Sequence, residues 1–247
     1  ERHKTINRYV AAKFKLIKNQ SKNDYAILNT KNFYIKKKLK SKKFLPNIIK
    51  IENNIDREFL KRINNQYFNT DGNRENLRFI LEVIKILKLK KNTLIKTLKK
   101  FKGLKYRQEK IFQSKKLTII NDSKSTSFSS SASLLKSLTN VYWIIGGQAK
   151  KGDKLSLTKK NCKNLKAYIF GTNKSFFISK IKKLMKYESF KDLKSLIKKL
   201  SLEIKMDKKT IHKTILFSPS AASFDNFKNF EKRGEYFNQL IKKYINV

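Results

Sequence analysis

Four short segments combine polar residue types that packing alone does not demand. The first is Asn121-Asp122-Ser123-Lys124-Ser125-Thr126, which follows an apolar run at 117–120. A carboxylate, a lysine and several hydroxyls at a strand end can hold phosphates, a metal-bound nucleotide or a carboxylate substrate. The same residue types also cap helices well, and capping alone explains this segment equally. The second is Gly146-Gly147-Gln148-Ala149-Lys150-Lys151-Gly152-Asp153. Paired glycines let backbone approach a ligand, and Lys150 can hold an anion; a plain strand-to-loop turn accounts for the glycines as well. The third is Ser218-Pro219-Ser220-Ala221-Ala222-Ser223-Phe224-Asp225 and the residues to Gly234. Its small residues suit either an anion facing a helix N-terminus or tight helix–sheet packing. The fourth, Phe101-Lys102-Gly103-Leu104-Lys105-Tyr106-Arg107-Gln108-Glu109, sits where the pattern of the chain changes. Arg107 there can reach a nucleotide held between domains, or the segment is a simple hinge.

The elements that must position these segments show in the hydrophobic periodicity. Residues 25–28 and 33–39 read as strands. Leu77, Ile80, Leu81, Ile84 and Leu87 repeat at the helical period across 73–87, and 93–101 reads as a second helix. Beyond Gly103 strands and helices alternate. Strands are expected at 109–112, 117–120, 141–145, 167–170 and 214–217, and helices at 129–138, 175–185, 190–202 and 227–244. Apolar strands separated by helices imply an α/β fold with a mainly parallel sheet covered on both faces. Ligands of such sheets sit beyond the carboxyl ends of the strands, where the polar segments fall. The boundary is expected near Phe101, dividing an incomplete domain at 1–100 from a second at 101–247.

Composition narrows the function classes. The chain of 247 residues is 39% hydrophobic, too apolar to be disordered as a whole. No run of about 18 uncharged apolar residues appears, so no membrane-spanning helix is expected. A single cysteine, Cys162, excludes an internal disulfide framework and fits a reducing cytoplasm. With two histidines besides, a structural zinc site is not expected. The formal charge of +42 invites a nucleic-acid reading. Lysine is spread through every segment, however, and arginine, the better reader of phosphates and bases, is scarce. General attraction to anions is expected, a specific nucleic-acid site is not.

In their order and spacing the four segments resemble the Mur ligase family, in its D-glutamate-adding branch. That branch carries a phrase like Phe-x-Gly-Leu-x-His-Arg-x-Glu, then Asn-Asp-Ser-Lys-Ala-Thr, then Gly-Gly-x-x-Lys. It ends on Leu-Ser-Pro-Ala-x-Ala-Ser-x-Asp-x-Phe-x-Asn-Phe-Glu-x-Arg-Gly, a long and specific phrase matched here by Ser218 to Phe227 and Asn229 to Gly234. Arg2-His3 and Tyr9-Val10-Ala11-Ala12-Lys13 are similar to the family's central domain, while 31–70 is matched poorly.

The resemblance implies the C-terminal part of the central ATP-binding domain at 1–100, then a Rossmann-like D-glutamate-binding domain at 101–247. It implies ATP-dependent ligation of D-glutamate to UDP-N-acetylmuramoyl-L-alanine, through an acyl phosphate, in peptidoglycan precursor synthesis. ATP and Mg²⁺ are the implied cofactors, and the enzyme is expected as a cytoplasmic monomer with no membrane or specific nucleic-acid partner. By position, Lys13 matches a catalytic lysine that holds Mg²⁺ when carbamylated. Asn73, Asn76, Arg107, Asp122 and Lys124 match ATP contacts. Thr126, Lys150, Ser223, Phe224 and Phe230 match the D-glutamate cradle, Lys150 being catalytic as well. Three departures stand out: Gly72 and Tyr106 replace family histidines, and no Gly-x-x-x-x-Gly-Lys-Ser/Thr occurs. The chain is therefore expected to be a fragment, inactive alone, that begins after that phosphate loop. Another amino-acid-adding ligase of the same type is the alternative, and a basic non-catalytic binding protein the third reading.

Overall fold

The computed structural model describes residues 3–51, 54–207 and 211–245, so Glu1 and Arg2 lie outside the described residues. It divides into two compact units, Glu1–Phe101 and Lys102–Val247.

In the first unit Thr5 caps α1 (Ile6–Lys18), accepting from the Arg8 amide, and the chain runs on to β1 (Tyr25–Leu28), α2 (Phe33–Ser41) and β2 (Asn47–Lys50). β1 and β2 pair in parallel, Tyr25 opposite Asn47. The strand expected at 33–39 is the helix α2. Asn32 caps it by accepting from the Tyr34 and Ile35 amides, and Ile35 and Leu39, one turn apart, pack on the core of Phe14, Ile17 and Ala26. Its apolar residues follow a helical stripe that the aromatic start disguises. Next come α3 (Arg57–Ile63), a 3₁₀ turn (Gln66–Asn69), α4 (Asp71–Ile86) and α5 (Lys91–Lys100). They enclose a second small core that includes Phe59, Phe68, Leu77 and Leu98. The Asn65 amide closes the end of α5 by donating to the carbonyls of Leu98 and Phe101, at 2.7 and 2.8 Å.

The second unit contains β3 (Glu109–Gln113), β4 (Leu117–Asn121), α6 (Phe128–Ser137), β5 (Val141–Gly146), α7 (Lys159–Cys162), β6 (Leu165–Phe170), α8 (Lys174–Ile181), β7 (Lys186–Ser189), α9 (Leu193–Met206), β8 (Lys213–Phe217) and α10 (Phe230–Ile245). The strands form one sheet in the order β3-β4-β8-β5-β6-β7, parallel except for β3, which runs antiparallel to β4. Side chains alternate across it. Ile120, Trp143, Ile145, Ile169 and Leu216 pack on α6, α7 and α8, whereas Ile119, Ile144, Tyr168, Ile215 and Phe217 pack on α9 and α10. The sheet is thus buried on both faces, which explains why its central strands read as unbroken apolar runs. The fold is α/β, as the alternation implies.

Candidate active site

In the second unit β4 hands the chain to α6 on one face, and its neighbour β8 hands it to α10 on the other. Connections that part in this way open a crevice at the carboxyl ends of the two strands. Three of the four polar segments meet there and are bolted together. The Asp122 amide donates to the Phe217 carbonyl at 2.7 Å, and the Gly146 amide to the Pro219 carbonyl at 3.1 Å. Gln148 and Ala222 exchange amide-to-carbonyl bonds at 2.9 and 3.0 Å. The Phe128 amide, just beyond Thr126, donates to Asp153 Oδ2 at 2.6 Å. Gly147 explains the closeness: at φ +126° a Cβ would lie 2.6 Å from the Ala222 carbonyl oxygen, so only glycine fits.

The fourth segment closes onto the crevice from the β3 side. Tyr106 and Gln108 have φ of 60° and 51°, a folded-back path fixed by Lys124 donating its amide to the Tyr106 carbonyl at 2.9 Å. The Tyr106 ring lies against Gly234, where a Cβ would meet Cδ1 at 2.4 Å. The path delivers the Gln108 amide to Asp122 Oδ1 at 3.1 Å, while Ser218 Oγ donates to Oδ2 at 2.8 Å. Asp122 is buried, and burial pushes its carboxyl up to about 7; the two hydrogen bonds and the charges of Arg107 and Arg233 pull the other way.

Arg233, given no role by sequence reasoning, is fully buried beneath the crevice. Its Nε donates to Ser123 Oγ at 3.1 Å and its Nη2 to the Ser123 carbonyl at 2.7 Å. Its Nη1 has no hydrogen-bond partner among the described residues. Burial draws its pKa down to about 10, against the pull of Asp225 and Asp122. Ser123 Oγ passes the contact on to the Phe230 carbonyl at 2.8 Å, so Arg233 ties the loop after β4 to the start of α10.

Each expected site residue can now be located. Thr126 and Lys150 are exposed on the loops after β4 and β5, and Ser223 is buried in the loop after β8. These are the joined loops, so the structure brings their carriers together. Phe224 is 72% exposed. Lys124 Nζ stands 3.9 Å over the ring of Phe230, a cation–π pair linking an expected nucleotide contact to an expected D-glutamate contact. Arg107 is exposed. In the first unit, Lys13 is exposed on α1 with Nζ 5.6 Å from the Tyr9 ring centroid. Asn73 is buried in the first turn of α4, its amide donating to the Tyr67 carbonyl at 2.7 Å, and Asn76 is exposed on the same helix.

Magnesium needs about six oxygen ligands at close range. No group of three or more His, Cys, Asp or Glu with the geometry of a metal site occurs among the described residues. Lys13 would become an oxygen donor only on carbamylation, and the ring beside it is that of Tyr9. Among the described residues, then, no ready-made ligand set for the ion occurs. Nor is any described helix long and apolar enough to cross a membrane.

No family model matches the chain. Curated proteins do. A UDP-N-acetylmuramoylalanine–D-glutamate ligase from Wolbachia of Brugia malayi is 37% identical over 177 residues, 71% of this chain and 35% of its own length. The protein of that name from Rickettsia prowazekii is 30% identical over 261 residues, 99% of this chain and 58% of its own. That from Francisella tularensis is 34% identical over 175 residues, 69% of this chain and 41% of its own. Among solved structures, a UDP-N-acetylmuramate–alanine ligase from Thermotoga maritima aligns with TM-score 0.44 at 12% identity, over 70% of this chain and 38% of its own. The chain thus spans between about a third and three-fifths of the length of these curated relatives. With matches reaching over nearly all of its residues, the chain belongs to the Mur ligase family, in the region it shares with the D-glutamate ligases.

Proposed function

We propose that this chain supplies the D-glutamate cradle, and part of the ATP contacts, of a ligase that joins D-glutamate to UDP-N-acetylmuramoyl-L-alanine in the cytoplasm. The observation that carries the reading is the joining of the loops after β4, β5 and β8, which bear Thr126, Lys150 and Ser223, at one end of three adjacent strands. A small dicarboxylate is suited by a lysine with hydroxyls and backbone amides around it. Lys150 is the cation for that purpose, Thr126 and Ser223 the hydroxyl donors, and Phe224 and Phe230 the walls. Beside them, Lys124 and Arg107 offset phosphate charge, and buried Asp122, two residues before Lys124, accepts hydrogen bonds from the Gln108 amide next to Arg107 and from the Ser218 hydroxyl. In the reaction the amine of D-glutamate attacks the phosphorylated alanine carboxylate and phosphate leaves. The cradle's part is to fix the amine in line and the dicarboxylate out of the way. Lys13, Asn73 and Asn76 belong to the same reading, as contacts for the metal-bound nucleotide.

The test is ligation by the full-length protein that carries this chain, offered D-glutamate, L-lysine or meso-diaminopimelate. D-glutamate is the expected substrate, and Lys150→Ala should raise its KM at least tenfold, the loss of one charge-assisted contact of about 1.5–3 kcal/mol. Turnover with L-lysine instead, or a Lys150→Ala enzyme with unchanged KM and kcat, would remove the assignment.

A further inference from the structure

Beneath the crevice lies a cluster of serine hydroxyls that the reading above leaves without a task. Ser125, Ser131, Ser218 and Ser220 are all buried, at 2% exposure or less. Ser131, on α6, is the hub: its Oγ lies 2.6 Å from Ser125 Oγ, 2.7 Å from Ser218 Oγ and 2.6 Å from Ser220 Oγ. Ser218 Oγ in turn reaches Asp122 Oδ2 at 2.8 Å. Ser125 also meets Ser130, an exposed residue of the α6 capping box, at 2.9 Å. The phrases given for the Mur ligases carry alanine at the positions of both Ser125 and Ser220, so two of Ser131's three hydroxyl partners are features of this chain.

Counting protons gives the cluster a direction. A hydroxyl has one proton to give and two lone pairs to receive. An ionised Asp122 can only accept, so the Ser218 proton must point at Oδ2. The contact between Ser131 and Ser218 can then be made only by the Ser131 proton. Both lone pairs of Ser131 are left for Ser125 and Ser220, which must donate inward. Every proton in the cluster then points towards Asp122, and each bond polarises the next. If Asp122 instead carried a proton on Oδ2 and gave it to Ser218, the Ser218–Ser131 bond could reverse. Ser131 would then accept from Ser218 and one other serine and donate to the third, so every contact survives, but none of these protons would be aimed at a charged acceptor. The arrangement therefore favours the carboxylate against the burial that opposes it. The groups facing Asp122 are Arg107 and Arg233, the Gln108 amide and Ser218; α6 brings only Ser131, through Ser218. Ser220 sits at φ 55°, a left-handed conformation that disfavours a side chain, so the backbone carries strain where its hydroxyl meets Ser131.

We propose that Ser131 is a positioning residue which, acting through Ser218, turns the buried hydroxyl cluster onto Asp122, favours its ionised form against burial and orients it at the nucleotide side of the crevice. The nucleotide part rests on the function proposed above; the positioning does not.

The test follows the Asp122 carboxyl carbon by NMR through a pH titration of the ligand-free 247-residue chain. Ser131→Ala should raise the midpoint by about half a pH unit or more, as loss of hydrogen bonding to the charged form does. Ser131→Thr, which keeps the hydroxyl, should return it towards the wild-type value. The double variant Ser125→Ala with Ser220→Ala should raise it by less. A folded Ser131→Ala chain whose Asp122 midpoint does not move overturns the proposal. Should that variant fail to fold, the double variant decides, and an unmoved midpoint there overturns it equally. Because no ligand is present, the outcome is independent of the nucleotide assignment, which falls separately if Asp122→Asn leaves the nucleotide affinity of the full-length protein unchanged.

Discussion

At the scale of single residues the site is governed by what burial does to two charges. Asp122 and Arg233 are both shifted towards their neutral forms, and both by desolvation first. For Asp122 the consequence for stability has a definite sign. Its pKa rises from 3.8 to about 7 on folding, so between those values the folded chain keeps a proton that the unfolded chain has released. Stability is then highest below about pH 4, falls as pH climbs towards 7, and is level above. Roughly three pH units correspond to at most about 4 kcal/mol. Asp122→Asn removes the charge and keeps an oxygen for the Gln108 amide. Its melting temperature relative to wild type should therefore climb between pH 5 and pH 8, read by thermal unfolding at fixed ionic strength. A difference that stays flat with pH would show that the native carboxyl is not destabilised by burial. Asp122, Lys124 and Thr126 stood out in the sequence as a polar cluster at the end of an apolar strand, while the roles proposed for them come from the family resemblance. Arg233 and Ser131 did not stand out, since nothing in their spacing says that a guanidinium or a helix hydroxyl faces inward. Only the sheet and the loops over it decide that.

At the scale of elements, the contact between the loop at 104–108 and the first turns of α10 places Arg107 and the Gln108 amide. Gly234 makes it possible, since a Cβ there would strike Tyr106 at Cδ1, Cγ and Cε1, at 2.4 to 3.0 Å. Those atoms are rigidly attached, and Lys124 and Glu109 hold the Tyr106 backbone on either side, so the ring has little room to yield. Gly234→Ala should cost about 1–3 kcal/mol in denaturant unfolding, as overpacking does. It should also weaken nucleotide binding by the full-length protein, because the loop that carries Arg107 must move. Full stability in that variant would mean that Tyr106 does not rest on the helix. Elements whose stripes are long were readable from periodicity: α4 and α5 fall within a few residues of expectation, and the inner strands of the large sheet do so too. Short or exposed elements were not. β7 has no buried residue and completes the sheet edge through backbone pairing with β6, and α7 is one turn held by a Thr158–Asn161 capping box. β2 escapes notice although its equally short partner β1 is readable, and unlike β1 it buries no residue fully. Helix ends shifted where a cap overruled the apolar pattern, as at Asp192, which starts α9 three residues after the apolar Phe190 suggests.

At the scale of the whole molecule the dominant fact is charge: 60 lysines and arginines face 18 aspartates and glutamates. Few of the cations can be paired. Three of the described ion pairs, Lys61–Glu58, Lys85–Glu82 and Lys232–Glu235, are neighbours one turn apart on a helix and tie no distant parts of the chain together. Lys166 draws on both Glu188 and Glu203, the latter also bonded by the Tyr168 hydroxyl at 2.5 Å, so two scarce carboxylates serve one lysine. The remaining lysines repel one another across a surface that folding makes smaller, so the folded chain has more to gain from screening than the unfolded one. The screening length falls from about 30 Å at 0.01 M salt to about 8 Å at 0.15 M. The melting temperature should therefore rise by several degrees over that range in potassium chloride, a salt chosen because sulfate would stabilise by exclusion from the surface instead. The same screening should weaken attraction of a dicarboxylate to Lys150, so D-glutamate KM should rise over the range in which the fold is strengthened. The two responses have opposite sign but one cause. A melting temperature that falls or stays level as chloride is added would mean that the lysines are spaced widely enough to ignore one another, and that the excess charge acts on ligands alone.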